Sequence, residues 1–186
     1  MTGFDLNEAH RSLQQHGEGI GPLEQWNPAF CGDIDMRIGR DGTWYYMGTP
    51  IGRAPMVRLF SRVLWLEDGR YYLKTPVEKV GIQVDDLPFQ LVNLEQVQTD
   101  AGPELHFTSK TGDHVVAGPD HPLRVLQGAG SEEPAPQLEV RFGMWGRIGR
   151  TLFYQLVDIA VPEPAADGGE ELVVYSRGER FSLGRL

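Results

Sequence analysis

A chain of 186 residues with 40% hydrophobic and 23% charged content has the size and composition of one large or two small soluble domains with a real core. Its formal net charge of −9 argues against a nucleic-acid polymer as main partner, because a phosphate backbone needs a basic face; a small anion held by a few arginines stays open. The single cysteine, Cys31, excludes an internal disulfide and a thiolate metal cage. The polar N-terminus lacks a signal-peptide pattern, and no stretch approaches the roughly 20 apolar residues that span a bilayer, so a cytoplasmic protein with no membrane partner is expected.

In chain order, Leu6, Ala9, His10 and Leu13 mark one stripe of a short helix that stops near Gly17. Positions 19–28 read as a loop with Trp26 tucked into the body. From Ile34 the pattern alternates: Ile34, Met36 and Ile38 face one way, and Cys31, Asp33, Asp35 and Arg37 share the other. Asp41-Gly42 is a turn and Thr43–Met47 the returning strand. Arg53–Arg62 fits a helix with Met56, Leu59, Phe60 and Val63 as its apolar face and Arg58 and Arg62 opposite. Val63–Glu67 and Arg70–Thr75 form a hairpin around Asp68-Gly69, the strongest turn signal in the chain. Pro76 begins a further strand through Val80, Ile82 and Val84.

The acidic, proline-bearing stretch Asp85–Pro88 marks a boundary, giving an N-terminal α+β half over 1–86 and a C-terminal β-rich half over 87–186. Strands follow at Gln90–Val97, Glu104–Ser109 and His114–Ala117. Mobile loops are expected over Gln127–Gln137 and Pro162–Gly169, a strand at Leu138–Phe142, and a hairpin from Glu171–Ser176 and Arg180–Gly184 at the end. Thr151–Ala160 is a helix apolar on most sides, and so is expected to be more buried than the earlier one.

Ile-Gly-Arg occurs three times, at Ile38–Arg40, Ile51–Arg53 and Ile148–Arg150. Aligning Ile51 with Ile148 also pairs Met47 with Met144, Tyr45 with Phe142 and Leu59 with Leu156. Each of these two copies lies between a strand-like and a helix-like stretch. A duplicated strand–loop–helix–hairpin unit is therefore expected, with a cleft between the halves.

Asp33 and Asp35 share a strand face and suit either ion pairing or a divalent metal, although a hard cation wants about six oxygens and no third acidic position follows. Arg53, Arg58 and Arg62 form the densest basic cluster. Arg53 stands at a helix start, where free N–H groups and the helix dipole favour an anion. Lys79 faces away from the Val80 and Ile82 side and adds a further cation. Trp44, Tyr45 and Tyr46 offer a ring on which a planar ligand stacks. The five histidines show no ligand spacing, and no Walker, dinucleotide, nucleophile-elbow or zinc fingerprint occurs, so no cofactor, metal or catalytic residue is expected.

Trp26-Asn27-Pro28, the run Cys31-Gly32-Asp33-Ile34-Asp35-Met36-Arg37, Asp41-Gly42-Thr43-Trp44, Pro50-Ile51-Gly52-Arg53, Arg58-Leu59-Phe60-Ser61 and Thr75-Pro76-Val77-Glu78-Lys79-Val80 resemble a bacterial family known as domain of unknown function 1285. The match is dense over Trp26 to Phe89 and looser beyond. The resemblance implies an α+β fold of two similar β-rich halves, the second superficially like a pleckstrin-homology barrel. It also implies a nucleotide-like ligand site at the interface of the halves and a link to signal transduction, but no catalytic residues. Positions that match its motif and suit a cleft are Asp33, Asp35, Arg37, Arg53, Arg58, Glu78 and Lys79. The expected function is a non-catalytic ligand-binding or regulatory module in which Arg53, Arg58 and Lys79 hold a small anion and Asp33 and Asp35 orient the arginines. Two rivals are a metal-assisted hydrolase using Asp33 and Asp35, and a protein-interaction domain docking an unidentified partner on an apolar patch.

Overall fold

In the computed structural model, which describes residues 4–127, 130 and 132–186, Asp5 opens the first helix: its side chain accepts the Glu8 N–H at 2.8 Å. The chain divides into two units, Met1–Pro88 and Phe89–Leu186.

The first unit runs α1 (Leu6–Gln14), β1 (Phe30–Ile38), β2 (Trp44–Tyr46), β3 (Thr49–Pro50), α2 (Ala54–Ser61), β4 (Leu64–Glu67), β5 (Arg70–Lys74) and β6 (Lys79–Val84). Its strands form one sheet in the order β3-β2-β1-β6-β5-β4, with β1 parallel to β6 and every other pair antiparallel. Alternation buries Met36 and Ile38 of β1, Leu73 of β5 and Val80 and Ile82 of β6, with Met56 and Phe60 of α2. Two hairpins close on residue pairs with positive φ, Met47-Gly48 (51° and 79°) and Asp68-Gly69 (50° and 76°), which is the turn whose twist suits a two-residue loop. The sequence flags only the second, because Met carries no preference for that conformation.

Three expectations in this unit change. The stretch 19–28 holds a 3-10 turn at Leu23–Gln25, and Leu23 is fully buried while the Trp26 ring rests on Gly21, where a Cβ would come within 2.6 Å of it. Pro76 does not begin a strand: Thr75 Oγ1 accepts the Glu78 N–H at 3.1 Å, forming a turn, and β6 starts at Lys79. Cys31 does not share the Asp33 face. A register shift between Phe30 and Asp33, with Gly32 at φ 101°, interrupts the alternation and brings Phe30 onto that face instead.

The second unit holds β7 (Phe89–Thr99), β8 (Gly102–Ser109), β9 (His114–Val116), β10 (Leu123–Gln127), β11 (Pro134–Arg141), β12 (Met144–Ile148), α3 (Arg150–Ile159), β13 (Val161–Pro164), β14 (Glu170–Ser176) and β15 (Glu179–Arg185). One sheet has the order β10-β11-β12-β7-β8-β9, with β12 parallel to β7, and a second has the order β13-β14-β15. Part of each expected loop is therefore strand: β10 runs to Gln127, β11 starts at Pro134, and β13 covers Val161–Pro164. Positions 128, 129 and 131 of the first loop lie outside the described residues. Nor is α3 the more buried helix. It buries Leu152 and Leu156 and leaves Tyr154 59% exposed, whereas α2 buries Met56, Phe60 and Ser61. Apolar residues on many sides of α3 still yield one stripe at i,i+4 spacing.

The fold is thus α+β, mostly β, built on two similar six-stranded sheets. In each, three strands step outward from the centre and three return from the far edge, leaving the first and last parallel in the middle. The Ile-Gly-Arg copies do not relate the two sheets. Ile51 follows the edge strand β3 while Ile148 ends the central strand β12, so the shared letters mark strand-to-helix junctions at different places in the topology. The hairpin after α2 joins the six-stranded sheet, and the strands after α3 form the separate three-stranded one. Among the described residues no helix is long and apolar enough to cross a membrane.

Ser176 ties the two sheets of the second unit together. Its fully buried hydroxyl accepts the Leu105 N–H at 2.8 Å and donates to the Ala117 carbonyl at 2.6 Å. Ser176→Ala strands both backbone groups, so a loss of about 1–3 kcal/mol is expected, read as a lowered urea midpoint at unchanged m-value.

Candidate functional site

Strand register alone assembles the most chemically varied surface of the first unit. Across β4 and β5, Trp65 faces Tyr72 and Glu67 faces Arg70; across β5 and β6, Tyr72 faces Gly81 and Lys74 faces Lys79. The parallel pairing of β1 with β6 sets Phe30 beside Lys79 and Asp33 beside Gly81. Directly paired residues project to the same side of a sheet, so these nine share one face.

On it, Arg70 Nη2 donates to Asp33 Oδ1 at 2.8 Å and Lys79 Nζ to Glu67 Oε2 at 2.8 Å. Gly81 makes the first pair geometrically permissible, because a Cβ there would sit 2.0 Å from Asp33 Oδ1. The floor is aromatic. Phe30, 49% exposed, meets Tyr72 edge-on at 5.9 Å; Arg70 lies 5.8 Å and 5.5 Å from these two rings, and Lys79 Nζ lies 5.0 Å from Tyr72.

Lys74 is the exceptional member. It is only 6% exposed, its ammonium lies 3.9 Å from the centre of the Trp65 ring, and among the described residues that ammonium makes no hydrogen bond or ion pair. Burial pushes its pKa below the ordinary 10.5, with the carboxylates of Glu67 and Glu24 working against that and Lys79 adding to it. The Trp65 π face also favours the charged form. By contrast, the hydrogen bond between Lys79 and Glu67 raises the lysine above 10.5 and holds the carboxyl below 4.5.

Of the residues singled out from sequence, Asp33 and Lys79 come onto this face. Asp35 is exposed on the same side of β1, and its carboxylate has no partner among the described residues. Arg37 is ion-paired to Asp85 and lies 4.4 Å from the Tyr45 ring. The Glu78 backbone closes the Thr75 turn. Arg53 and Arg58 are exposed on α2, apart from the strand face. The expected anion cradle at the start of α2 is poorly supplied with donors: Arg53 is the N-cap, Pro55 has no N–H, and the Met56 and Val57 amides donate to the Arg53 carbonyl at 3.1 and 3.2 Å. Among the described residues, no three His, Cys, Asp or Glu side chains stand together as a group able to hold a metal ion.

Sequence reading passed over Glu67, Arg70, Tyr72, Trp65 and Lys74. The signal was present. The Asp68-Gly69 turn fixes the register of its hairpin, and that register places Glu67 across from Arg70 and Trp65 across from Tyr72. It also passed over a histidine pair in the second unit. The Nδ1 of His106 lies 3.1 Å from Nε2 of His114, and its Nε2 lies 2.7 Å from Glu104, whose carboxyl is held low by that ring and by Arg177.

Two family models match the chain: the N-terminal domain of the domain of unknown function DUF1285 over residues 21–87, and the C-terminal domain of the DUF1285 protein of unknown function over residues 88–183. The chain is similar to a DUF1285 family protein from Silicibacter pomeroyi DSS-3 whose crystal structure is known, at 44% identity and TM-score 0.88, over 100% of this chain and 97% of that one. It is also similar to a DUF1285 family protein from Shewanella baltica OS155, at 29% identity and TM-score 0.52, over 66% of this chain and 90% of that one. No curated protein matches significantly.

Two outcomes follow from the geometry. Gly81→Ala turns the Asp33 carboxylate away from Arg70 at a cost within about 1 kcal/mol, the scale of an exposed pair, and this cost disappears in an Asp33→Ala background when measured by urea denaturation. In an NMR titration the Glu67 carboxyl titrates below 4.5 and returns toward that value in Lys79→Met. Because its folded pKa is depressed, the stabilisation from this pair is present above pH 4.5 and fades as pH falls through the lowered folded value.

Proposed function

We propose that this chain, which belongs to the DUF1285 family, is a non-catalytic module that binds a small anionic, nucleotide-like ligand on the cation–aromatic face of its first unit. One observation carries the reading: the Lys74 side chain is 6% exposed and its ammonium lies against an indole face with no hydrogen-bond or ion-pair partner among the described residues, so its N–H donors are open from the solvent side. A ligand anion replaces water at these donors, and beside the low-dielectric indole such a contact is stronger than on an open surface. Phe30 and Tyr72 beside it offer a ring surface for a planar group, and Lys79 and Arg70 add positive charge in an otherwise acidic protein. On this reading Asp33 orients Arg70, while the exposed Arg53 and Arg58 contribute only long-range attraction. A regulatory role in bacterial signal transduction and the pleckstrin-homology likeness of the second unit belong to the same proposal.

Isothermal titration against a panel of nucleotides and sugar phosphates at physiological salt tests it. At least one ligand is expected to bind, with Lys74→Met weakening it about ten- to a hundred-fold, the scale of one hydrogen bond to a charged group. An absence of binders, or affinity unchanged in a folded Lys74→Met, refutes it.

A further inference from the structure

Resting on that reading, we infer that Glu67 is a built-in competitor of the ligand, holding the anion position beside Lys74 and Lys79, and that the ligand group displacing it is a phosphate monoester dianion. Lys74 and Lys79 are direct partners across β5 and β6, so their ammonium groups flank one stretch of the sheet face. Glu67, across the β4–β5 hairpin, reaches Lys79 at 2.8 Å, while Lys74 lies beyond ion-pair distance of any carboxylate among the described residues. Among the described residues the two lysines thus have one carboxylate within ion-pair distance between them, Glu24 acting on Lys74 only from further off, and the arrangement is short of one close acceptor.

The shortfall selects the ligand. A monocarboxylate that displaces Glu67 exchanges one negative charge for another, and loses the advantage of a group already tethered to the sheet. A phosphate monoester carries a charge of about −1.5 to −2 near neutral pH and three acceptor oxygens, enough to serve both ammonium groups at once. Glu67 is free to leave because its side chain is 45% exposed, whereas that of Lys79 is 18% exposed and Lys74 is nearly enclosed. In the unliganded protein the same carboxylate keeps two neighbouring lysines from repelling each other, as like charges facing across strands otherwise do.

The other carboxylate of the face does not play this part. Asp33 is engaged by Arg70 and lies over Gly81, one strand pair further along the sheet. Removal of Asp33 therefore frees Arg70, and removal of Glu67 frees the lysine pair.

The test compares phenyl phosphate, inorganic phosphate and benzoate by calorimetry at pH 7.5 on wild type, Glu67→Gln, Glu67→Ala and Lys74→Met, each checked for fold by circular dichroism. Wild type is expected to bind phenyl phosphate more tightly than phosphate and to bind benzoate least. Both Glu67 variants should tighten phenyl phosphate by about five-fold, the scale of one part-exposed ion pair, and should bring benzoate binding into range. Wild-type binding that is lost in Lys74→Met yet unchanged or weakened in both Glu67 variants overturns the competition while leaving the binding site standing. Failure of all three probes on every variant overturns both. Saturation of wild type with phenyl phosphate should also move the Glu67 carboxyl NMR titration upward toward 4.5, since Lys79 is withdrawn from it; an unmoved titration in the bound state overturns the displacement.

Discussion

Both sheets depend on a parallel pair at their centre, and both closing strands present a glycine there. In the first unit Gly81 of β6 stands beside Asp33 of β1; in the second Gly146 of β12 stands beside Phe89 of β7. A Cβ at Gly81 would collide with the Asp33 carboxylate, and one at Gly146 would sit 3.2 Å from both Phe89 Cβ and Val140 Cγ2. With no side chain on the closing strand, the side chain of the opening strand lies across the backbone, so the two ends of each meander can lie side by side. All the other pairings within these sheets are antiparallel and run between strands consecutive in the chain.

That shared constraint has opposite chemical outcomes. In the second unit the side chain over the glycine is a buried phenylalanine, with the Arg141 guanidinium 4.6 Å from its ring. In the first it is an aspartate that accepts from Arg70, and the surface around it becomes a lattice of three cations, two carboxylates and three rings. Ion pairs elsewhere show what a saturated arrangement looks like. Arg180 donates to Glu163 at 2.9 Å and to Glu171 at 2.6 Å, while Tyr175 and Ser182 donate to the remaining oxygens of the same two carboxylates, locking the three strands of the smaller sheet. Against such pairing the bare ammonium of Lys74 stands out. This contrast, more than the number of charges, separates the face of the first unit from a fully paired structural network.

Much of this was legible in particular residues. Alternation of Met36 and Ile38 with Asp35 and Arg37 assigned β1, and Asp68-Gly69 assigned the β4–β5 hairpin along with its register. Lys79 was correctly turned away from Val80 and Ile82. Where reading failed, a local letter stood for a long-range relation. Ile-Gly-Arg reports a strand giving way to a helix, a junction that any αβ chain reuses, so it located α2 and α3 without relating the sheets. The arginines of α2 stood out by density, yet the amides expected to join them are spent on the Arg53 carbonyl or missing at Pro55.

The sequence by itself determined where most strands, turns and helices fall, because backbone preference at glycine, proline and aspartate and the two-residue period of a strand act between near neighbours. It also determined the family, through an ordered string of short motifs. Only the tertiary structure decided that β1 lies beside β6, that Asp33 meets Arg70 across 37 residues of chain, and that the Lys74 side chain packs against Trp65 with no ion-pair partner among the described residues. Those facts depend on which strands become neighbours and on what water is excluded when they do, and no single stretch of sequence records either.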